Sequence, residues 1–200
     1  NEIKKRFQNV CNDDETCWIE QQETLPYGGI FKDSFKPIKP KGKNSWLSNV
    51  DINDVMKQYE MAYAPKFKYL GSYPRDFYEA GYDVGLNNVL SLHKKGCRQM
   101  GIVFNLDVDK GPGTHWVSCF IDWSKEPATI EFFDSTGEKP MDEFMNFMRR
   151  VGSQLIKNNI TKNALIQFNT KEHQKGNNEC GMYALYYIWN RLLGNSPKDI

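Results

Sequence analysis

The sequence has 200 residues, of which 40% are hydrophobic and 14% aromatic, a composition typical of a globular chain with one ordinary core. Its 26 basic and 25 acidic side chains leave a formal net charge of +1, so we expect neither a nucleic-acid partner nor a membrane partner. No apolar run approaches the roughly 20 residues that span a bilayer, and the start does not resemble a signal peptide. We therefore expect a cytoplasmic protein that is not secreted.

The cysteines predict free thiols. Five are present, an odd number, and they are widely spaced in a chain without a secretory signal, which favours a reducing compartment over a disulfide framework. Cys11 and Cys17 lie six residues apart, which is not a metal-ligand spacing, and the three histidines offer few further ligands. We expect no metal site and no cofactor.

The first 45 residues differ from the rest of the chain. They are polar and charged, with a predicted helix at Asn1–Val10, and residues 31–45 carry two prolines and five lysines. Prolines lack a backbone donor and lysines repel one another, so this stretch favours an extended linker, with a basic docking strip for a partner as the alternative. The sequence thus predicts an N-terminal arm and basic linker over residues 1–45 and a catalytic domain over residues 46–200.

From Trp46 onward, helical and strand patterns alternate in the manner of a packed domain. In chain order they predict a helix over 49–63, a weaker helix over 74–93, strands over 101–106, 115–123 and 128–134, a helix over 140–158, a strand over 164–168 and a helix over 180–193. Asn49 or Asp51 is the expected cap of the first helix. The last helix carries a strongly apolar face, typical of a stripe that packs on the core, made of Met182, Leu185, Tyr186, Trp189 and Leu193.

Cys180 lies where a polar loop, KEHQKGNNE, meets the last predicted helix. Unpaired backbone N–H groups and the helix dipole favour a thiolate there, and Gly181 has no side chain to keep a substrate backbone away. Taken alone, the position fits a nucleophile and a buried structural cysteine equally well.

A thiolate nucleophile needs a base, and the base needs an orienting carboxylate. His115, in GTHW at the head of a strand, is the candidate base, and Asp134 ends the next strand. If those strands are antiparallel neighbours, both residues lie at the same edge of the sheet. Gln174, six residues before Cys180, could donate to the oxyanion together with the Cys180 backbone N–H. His173 is a rival base without an evident carboxylate partner.

These segments, WLSN, GTHWVSCFID, IEFFDSTG and HQKGNNECGMYALYYI in that order, resemble the Ulp1-like family of proteases for SUMO and other ubiquitin-like proteins, and most closely its polyprotein-processing members from large DNA viruses of the asfarvirus type. The resemblance implies an α+β, papain-like/Ulp1-like fold: a central mixed sheet flanked by helices, with the nucleophile at a helix N-terminus. It implies a triad of His115, Asp134 and Cys180, with Gln174 as the oxyanion residue.

The resemblance also implies a substrate tunnel. Trp46 and Trp116 match the family's two tryptophans, which flank a narrow passage that admits a Gly-Gly end. Asn49 stands where relatives usually carry an acidic residue, which argues against recognition of a whole ubiquitin-like body. We therefore expect a monomeric cysteine endopeptidase that cuts protein substrates after Gly-Gly and matures viral structural polyproteins. The alternatives are removal of SUMO or ubiquitin from conjugates, a Cys/His acetyltransferase, and an inactive binding module.

Overall fold

The structure is a computed structural model and describes residues 46–176 and 178–200. The predicted helix at residues 1–10 and the predicted linker at 31–45 lie outside this part of the chain. The elements are α1 (Asn49–Ala62), β1 (Phe67–Pro74), a short 3-10 helix (Leu86–Asn88), α2 (Val89–Lys94), β2 (Gln99–Asn105), β3 (Trp116–Asp122), β4 (Ala128–Phe133), α3 (Asp142–Lys157), β5 (Ala164–Phe168) and α4 (Cys180–Leu193).

The N-cap of helix α1 lies one residue before the first of the two predicted positions. Ser48 is the N-cap: its hydroxyl accepts a hydrogen bond from the Asp51 N–H at 3.3 Å, and the Asp51 carboxylate accepts from the Ser48 N–H at 2.8 Å. This reciprocal pair is a capping box. The prediction of Asn49 or Asp51 as the cap was therefore wrong, although Asp51 takes part in the motif.

The weak helix predicted over residues 74–93 was also wrong for most of its length. Strand β1 ends at Pro74, turns follow, and only Val89–Lys94 is α-helical. Gly81 and Gly85 adopt φ values of +81° and +72°, in the left-handed region that interrupts a helix. Strand β1 itself was missed by the sequence patterns.

The five strands form one mixed sheet in the order β1-β2-β3-β4-β5. The two outer pairs, β1 with β2 and β4 with β5, are parallel, whereas β3 runs antiparallel to both of its neighbours. Together with the flanking helices, this sheet confirms the predicted α+β architecture.

Both faces of the sheet are buried. The residues of β3 alternate between two cores: Val117, Cys119 and Ile121 pack on the side of α3, while Trp116 and Phe120 pack on the side of α1 and α4. The apolar residues that recur at helical spacing in α3 are fully buried: Phe144, Phe147, Met148, Val151 and Leu155.

The buried face of α4 differs from the predicted one. Met182, Tyr186 and Leu193 are each more than half exposed, and Leu185 is the only residue of the predicted stripe that is buried. The helix instead packs on the sheet through Cys180, Gly181, Ala184, Tyr187, Ile188 and Leu192. Small residues at 181 and 184 allow this close approach. None of the helices in the described ranges has the length and hydropathy to cross a bilayer.

Candidate active site

The antiparallel pairing of β3 with β4 brings His115 and Asp134 together. The register places Ser118 opposite Phe133, so His115, just before β3, and Asp134, just after β4, lie at the same edge of the sheet. His115 Nε2 is 2.7 Å from Asp134 Oδ1. The predicted arrangement of the two strands is confirmed, and the remaining ring nitrogen, Nδ1, is left for the thiol of Cys180.

Asp134 is held in place by other residues in addition to its histidine partner. The Thr136 N–H and hydroxyl both donate to Asp134 Oδ1 at 2.8 Å. The Asn169 side chain accepts from the Asp134 N–H at 2.9 Å and donates to the Asp134 carbonyl at 2.6 Å. Burial alone would raise the pKa of this carboxyl, but the hydrogen bonds from His115 and Thr136 lower it, so Asp134 is an anion near neutral pH.

Cys180 is the first residue of α4, and its side chain is buried beside His115. Burial disfavours the thiolate. The hydrogen bond with His115, backbone N–H groups of Trp116 and Gly181 and the histidine charge outweigh that cost and lower the pKa of the thiol. These groups, together with the positive end of the helix dipole, favour a thiolate poised for nucleophilic attack.

His115 shows the complementary shift. Burial disfavours its charged form, but hydrogen bonds and charge interactions with Asp134 and Cys180 raise its pKa to about 9. The imidazolium is therefore the main form at neutral pH. A thiolate–imidazolium pair of this kind combines a ready nucleophile with an acid for the leaving amine.

The helix that carries Cys180 is fastened to the sheet by a buried ion pair. Arg191 donates from Nε and Nη2 to the Glu131 carboxylate of β4 at 2.6 and 3.0 Å, and the Tyr187 hydroxyl donates to the same carboxylate at 3.0 Å. The charge of Glu131 is thus fully partnered inside the protein. These contacts fix α4 relative to β4, the strand that directly precedes Asp134.

Gln174 is buried in the loop before α4 and is bound to the end of β4. Its Oε1 accepts from the Ser135 hydroxyl at 2.7 Å, and its Nε2 donates to the Gly176 carbonyl at 2.5 Å. The Ser135 carbonyl also accepts the backbone N–H groups of His173 and Gln174. An amide nitrogen carries two hydrogens, so one remains for an oxyanion, and that role stays a prediction.

His173, the rival base, occupies a different setting. Its ring lies 5.5 Å from the ring of Phe133, and burial together with Lys171 lowers its pKa. Within the described residues it forms no ion pair with a carboxylate. The site therefore favours His115 over His173 as the base.

A cleft of about 530 Å³ lies next to this site, and its lining includes Trp46, Asn49 and Trp116, the residue that follows His115. Trp46 is 47% exposed, whereas Trp116 is 8% exposed and donates from Nε1 to the Leu47 carbonyl at 2.9 Å. A β-carbon at Gly181 would come within 3.1 Å of the Leu47 side chain and 3.3 Å of the Trp116 ring. The two indoles therefore border one cleft, and the Trp116 ring also packs beside Gly181, the residue that follows Cys180.

Three positioning residues were missed by sequence reasoning. Ser135 and Thr136 directly follow Asp134, and a Ser-Thr pair after an acid at a strand end was a usable signal. No signal in the sequence pointed to Asn169, because it contacts Asp134 only through the tertiary fold. No group of three or more His, Cys, Asp or Glu side chains in the described ranges is arranged to hold a metal ion.

Comparison with known proteins supports the same interpretation. Residues 101–199 match the Ulp1 protease family, C-terminal catalytic domain. The R355 protein of Acanthamoeba polyphaga mimivirus is 30% identical over 99% of this chain and 66% of its own length. The chain belongs to the Ulp1 protease family. It is accordingly a cysteine protease, as predicted.

Other relatives agree with this assignment. The cysteine protease S273R of African swine fever virus is 29% identical over 90% of this Ulp1-family chain and 73% of its own length. The crystal structure of that virus's pS273R protease superposes with a TM-score of 0.71 at 26% identity, covering 98% of this chain and 82% of the other. The C-terminal Ulp1 protease domain shares the fold, with a TM-score of 0.55 at 18% identity over 83% of this chain and 72% of that domain.

Proposed function

We propose that this chain is an endopeptidase that cleaves protein substrates after Gly-Gly and matures viral structural polyproteins. The observation that supports this specificity is the cleft bordered by Trp46 and Trp116, because the Trp116 ring also packs beside Gly181, the residue that follows Cys180. A chain held between two indoles and a helix start has little room for side chains, so glycine at the two positions before the cut follows from steric reasons.

The reaction uses the groups already described. The Cys180 thiolate attacks the carbonyl carbon of the second glycine, and the resulting oxyanion accepts hydrogen bonds from the Gln174 amide and the Cys180 backbone N–H. The His115 imidazolium gives its proton to the departing amine, which leaves a thioester on Cys180. Neutral His115 then takes a proton from water, and the hydroxide displaces the thiolate to release the glycine carboxylate.

A second candidate is removal of a ubiquitin-like protein from its conjugates. It is favoured by the likeness to the Ulp1 domain solved in complex with Smt3, and by S273R proteins that carry the name SUMO-1 cysteine protease. Asn49 weakens this candidate, because an exposed neutral amide at the start of α1 offers no charge to a basic partner surface.

The two candidates differ in what they need beyond the Gly-Gly end. The purified chain would be given a library of Gly-Gly-X peptides alongside SUMO and ubiquitin fusions, with Cys180→Ala as the inactive control. We expect efficient cleavage of short peptides and no gain from an attached SUMO or ubiquitin. A rate that rises a hundredfold or more with an intact fusion would instead establish the second candidate, and cleavage without a glycine preference would reject both.

A further inference from the structure

Asn105 is a polar side chain in the cleft that none of the roles above uses. It is the last residue of β2 and lies opposite Trp116 in the β2–β3 register, one residue from His115. It is 9% exposed, and its buried side chain lines the same cleft as the two indoles. A buried amide at the wall of a substrate passage needs hydrogen-bond partners for both of its ends.

The oxygen of this amide is fully engaged. Asn105 Oδ1 accepts the backbone N–H of Asp107 at 2.9 Å and that of Thr114 at 3.1 Å, which closes the loop that precedes His115. Because both partners are donors, the atom they meet must be the oxygen, and the other terminal atom must be the nitrogen.

The nitrogen has no such partner. Among the described residues, no group accepts a hydrogen bond from Asn105 Nδ2. Gly113 is a neighbour of this nitrogen, because a β-carbon at Gly113 would lie 3.2 Å from Nδ2. Gly113 has a φ of +84°, so glycine is favoured there, and the absence of a side chain leaves the amide N–H group uncovered.

We propose that Asn105 Nδ2 donates a hydrogen bond to a main-chain carbonyl of the substrate segment that precedes the scissile bond. This inference rests on the proposed endopeptidase function. A glycine-rich segment offers no side chains to recognise, so its carbonyls are the groups by which the cleft can hold it in register. Asn105 suits this role because its Oδ1 contacts already fix the orientation of the amide, and little freedom is lost on binding. Asn49, in contrast, is exposed in the first turn of α1.

The test is a thermodynamic cycle between the protein and the substrate backbone. Asn105→Asp keeps oxygen acceptors for the Asp107 and Thr114 N–H groups and removes the donor. It would be assayed on a Gly-Gly-X peptide and on analogues in which one carbonyl at a time, at the second, third or fourth position before the cut, is replaced by methylene. Any effect of the new charge acts on every substrate and cancels in the comparison.

We expect Asn105→Asp to lower kcat/KM on the unmodified peptide by about tenfold, chiefly through KM. One analogue lacks the carbonyl that Asn105 contacts. On that analogue, the ratio of wild-type to variant kcat/KM should be at least threefold smaller than on the unmodified peptide. An equal loss on all substrates, or no loss, would overturn the inference while leaving the endopeptidase function intact. A wild-type chain that cuts none of the peptides refutes the function and this inference together.

A second measurement covers the case in which Asn105→Asp does not fold. In Cys180→Ala protein, addition of a peptide ending in Gly-Gly should move one side-chain amide proton of Asn105 downfield in a ¹⁵N–¹H spectrum, as expected when it gains an acceptor. The carbonyl-deleted analogue should leave that proton in place. Binding of the peptide without a shift at Asn105 would contradict the proposal.

Discussion

Replacement of Asp134 by asparagine separates orientation of His115 from stabilisation of its charge. Asp134 Oδ1 lies 2.7 Å from His115 Nε2 and also accepts both donors of Thr136. Since two donors besides the histidine point at that atom, the asparagine oxygen should occupy its position and continue to accept from Nε2. Orientation and tautomer are then kept, and only the negative charge is lost.

The magnitude follows from the charge that is removed. The pKa of His115 is raised to about 9, and Asp134 contributes both a hydrogen bond and a charge interaction to that rise. An opposite charge at this distance changes a pKa by about one to three units, and each unit corresponds to about 1.4 kcal/mol. In the wild type, activity should fall as the pH rises through about 9, where the imidazolium loses its proton. In Asp134→Asn this alkaline limb should move down by about one to three pH units.

The assay is kcat/KM on a fluorogenic Gly-Gly peptide between pH 5 and 10. We expect Asp134→Asn to retain much more activity than His115→Ala at pH 6, with a deficit that grows as the pH rises. Asp142→Asn is the matched control, because that exposed carboxylate in the first turn of α3 makes no contact with the site. An alkaline limb that stays near 9, or a loss at pH 6 as complete as that of His115→Ala, would refute the assignment of the charge effect to Asp134.

Three further predictions concern other parts of the site. Cys180→Ala should abolish peptidase activity with an unchanged far-UV spectrum, and iodoacetamide at pH 7 should label Cys180 before the other thiols, as peptide mapping can check. Trp46→Ala should raise the kcat/KM on Ala-Gly-X and Gly-Ala-X peptides relative to that on Gly-Gly-X, with little change in Tm because the Trp46 ring is 47% exposed. Trp116→Ala should instead lower the free energy of unfolding by about 3–5 kcal/mol in denaturant titrations, because that ring is buried. Ser135→Ala should reduce kcat about tenfold with little effect on KM, because the Gln174 amide loses its 2.7 Å anchor, and an unchanged kcat would show that Gln174 needs no such support.

The local patterns of the sequence were sufficient for much of the fold. The strand Ala164–Phe168 and the helix Asp142–Lys157 lie where they were predicted. A period of two or of 3.6 residues reports directly which side of an element is apolar. The order of His115, Asp134 and Cys180 was also readable, and one structural assumption, that β3 and β4 are antiparallel neighbours, was enough to bring the first two together.

The sequence patterns were less informative where an element has apolar residues on every side or where partners are distant. Helix α4 has apolar residues on most of its surface, so periodicity alone led to the wrong prediction that Met182 and Tyr186 face the core. In the structure the side with Gly181 and Ala184 packs on the sheet, because small residues let the backbone come closest there.

The supports of the site were decided in the same way by tertiary structure. Asn169 holds Asp134 from 35 residues away, and Asn105 meets the cleft only because β2 pairs with β3. An isolated polar residue carries no sign of its partner in the sequence. The sequence therefore determined which groups are candidates for the chemistry, and the packing of the chain decided which groups hold them, because a hydrogen bond depends on where two atoms meet in space.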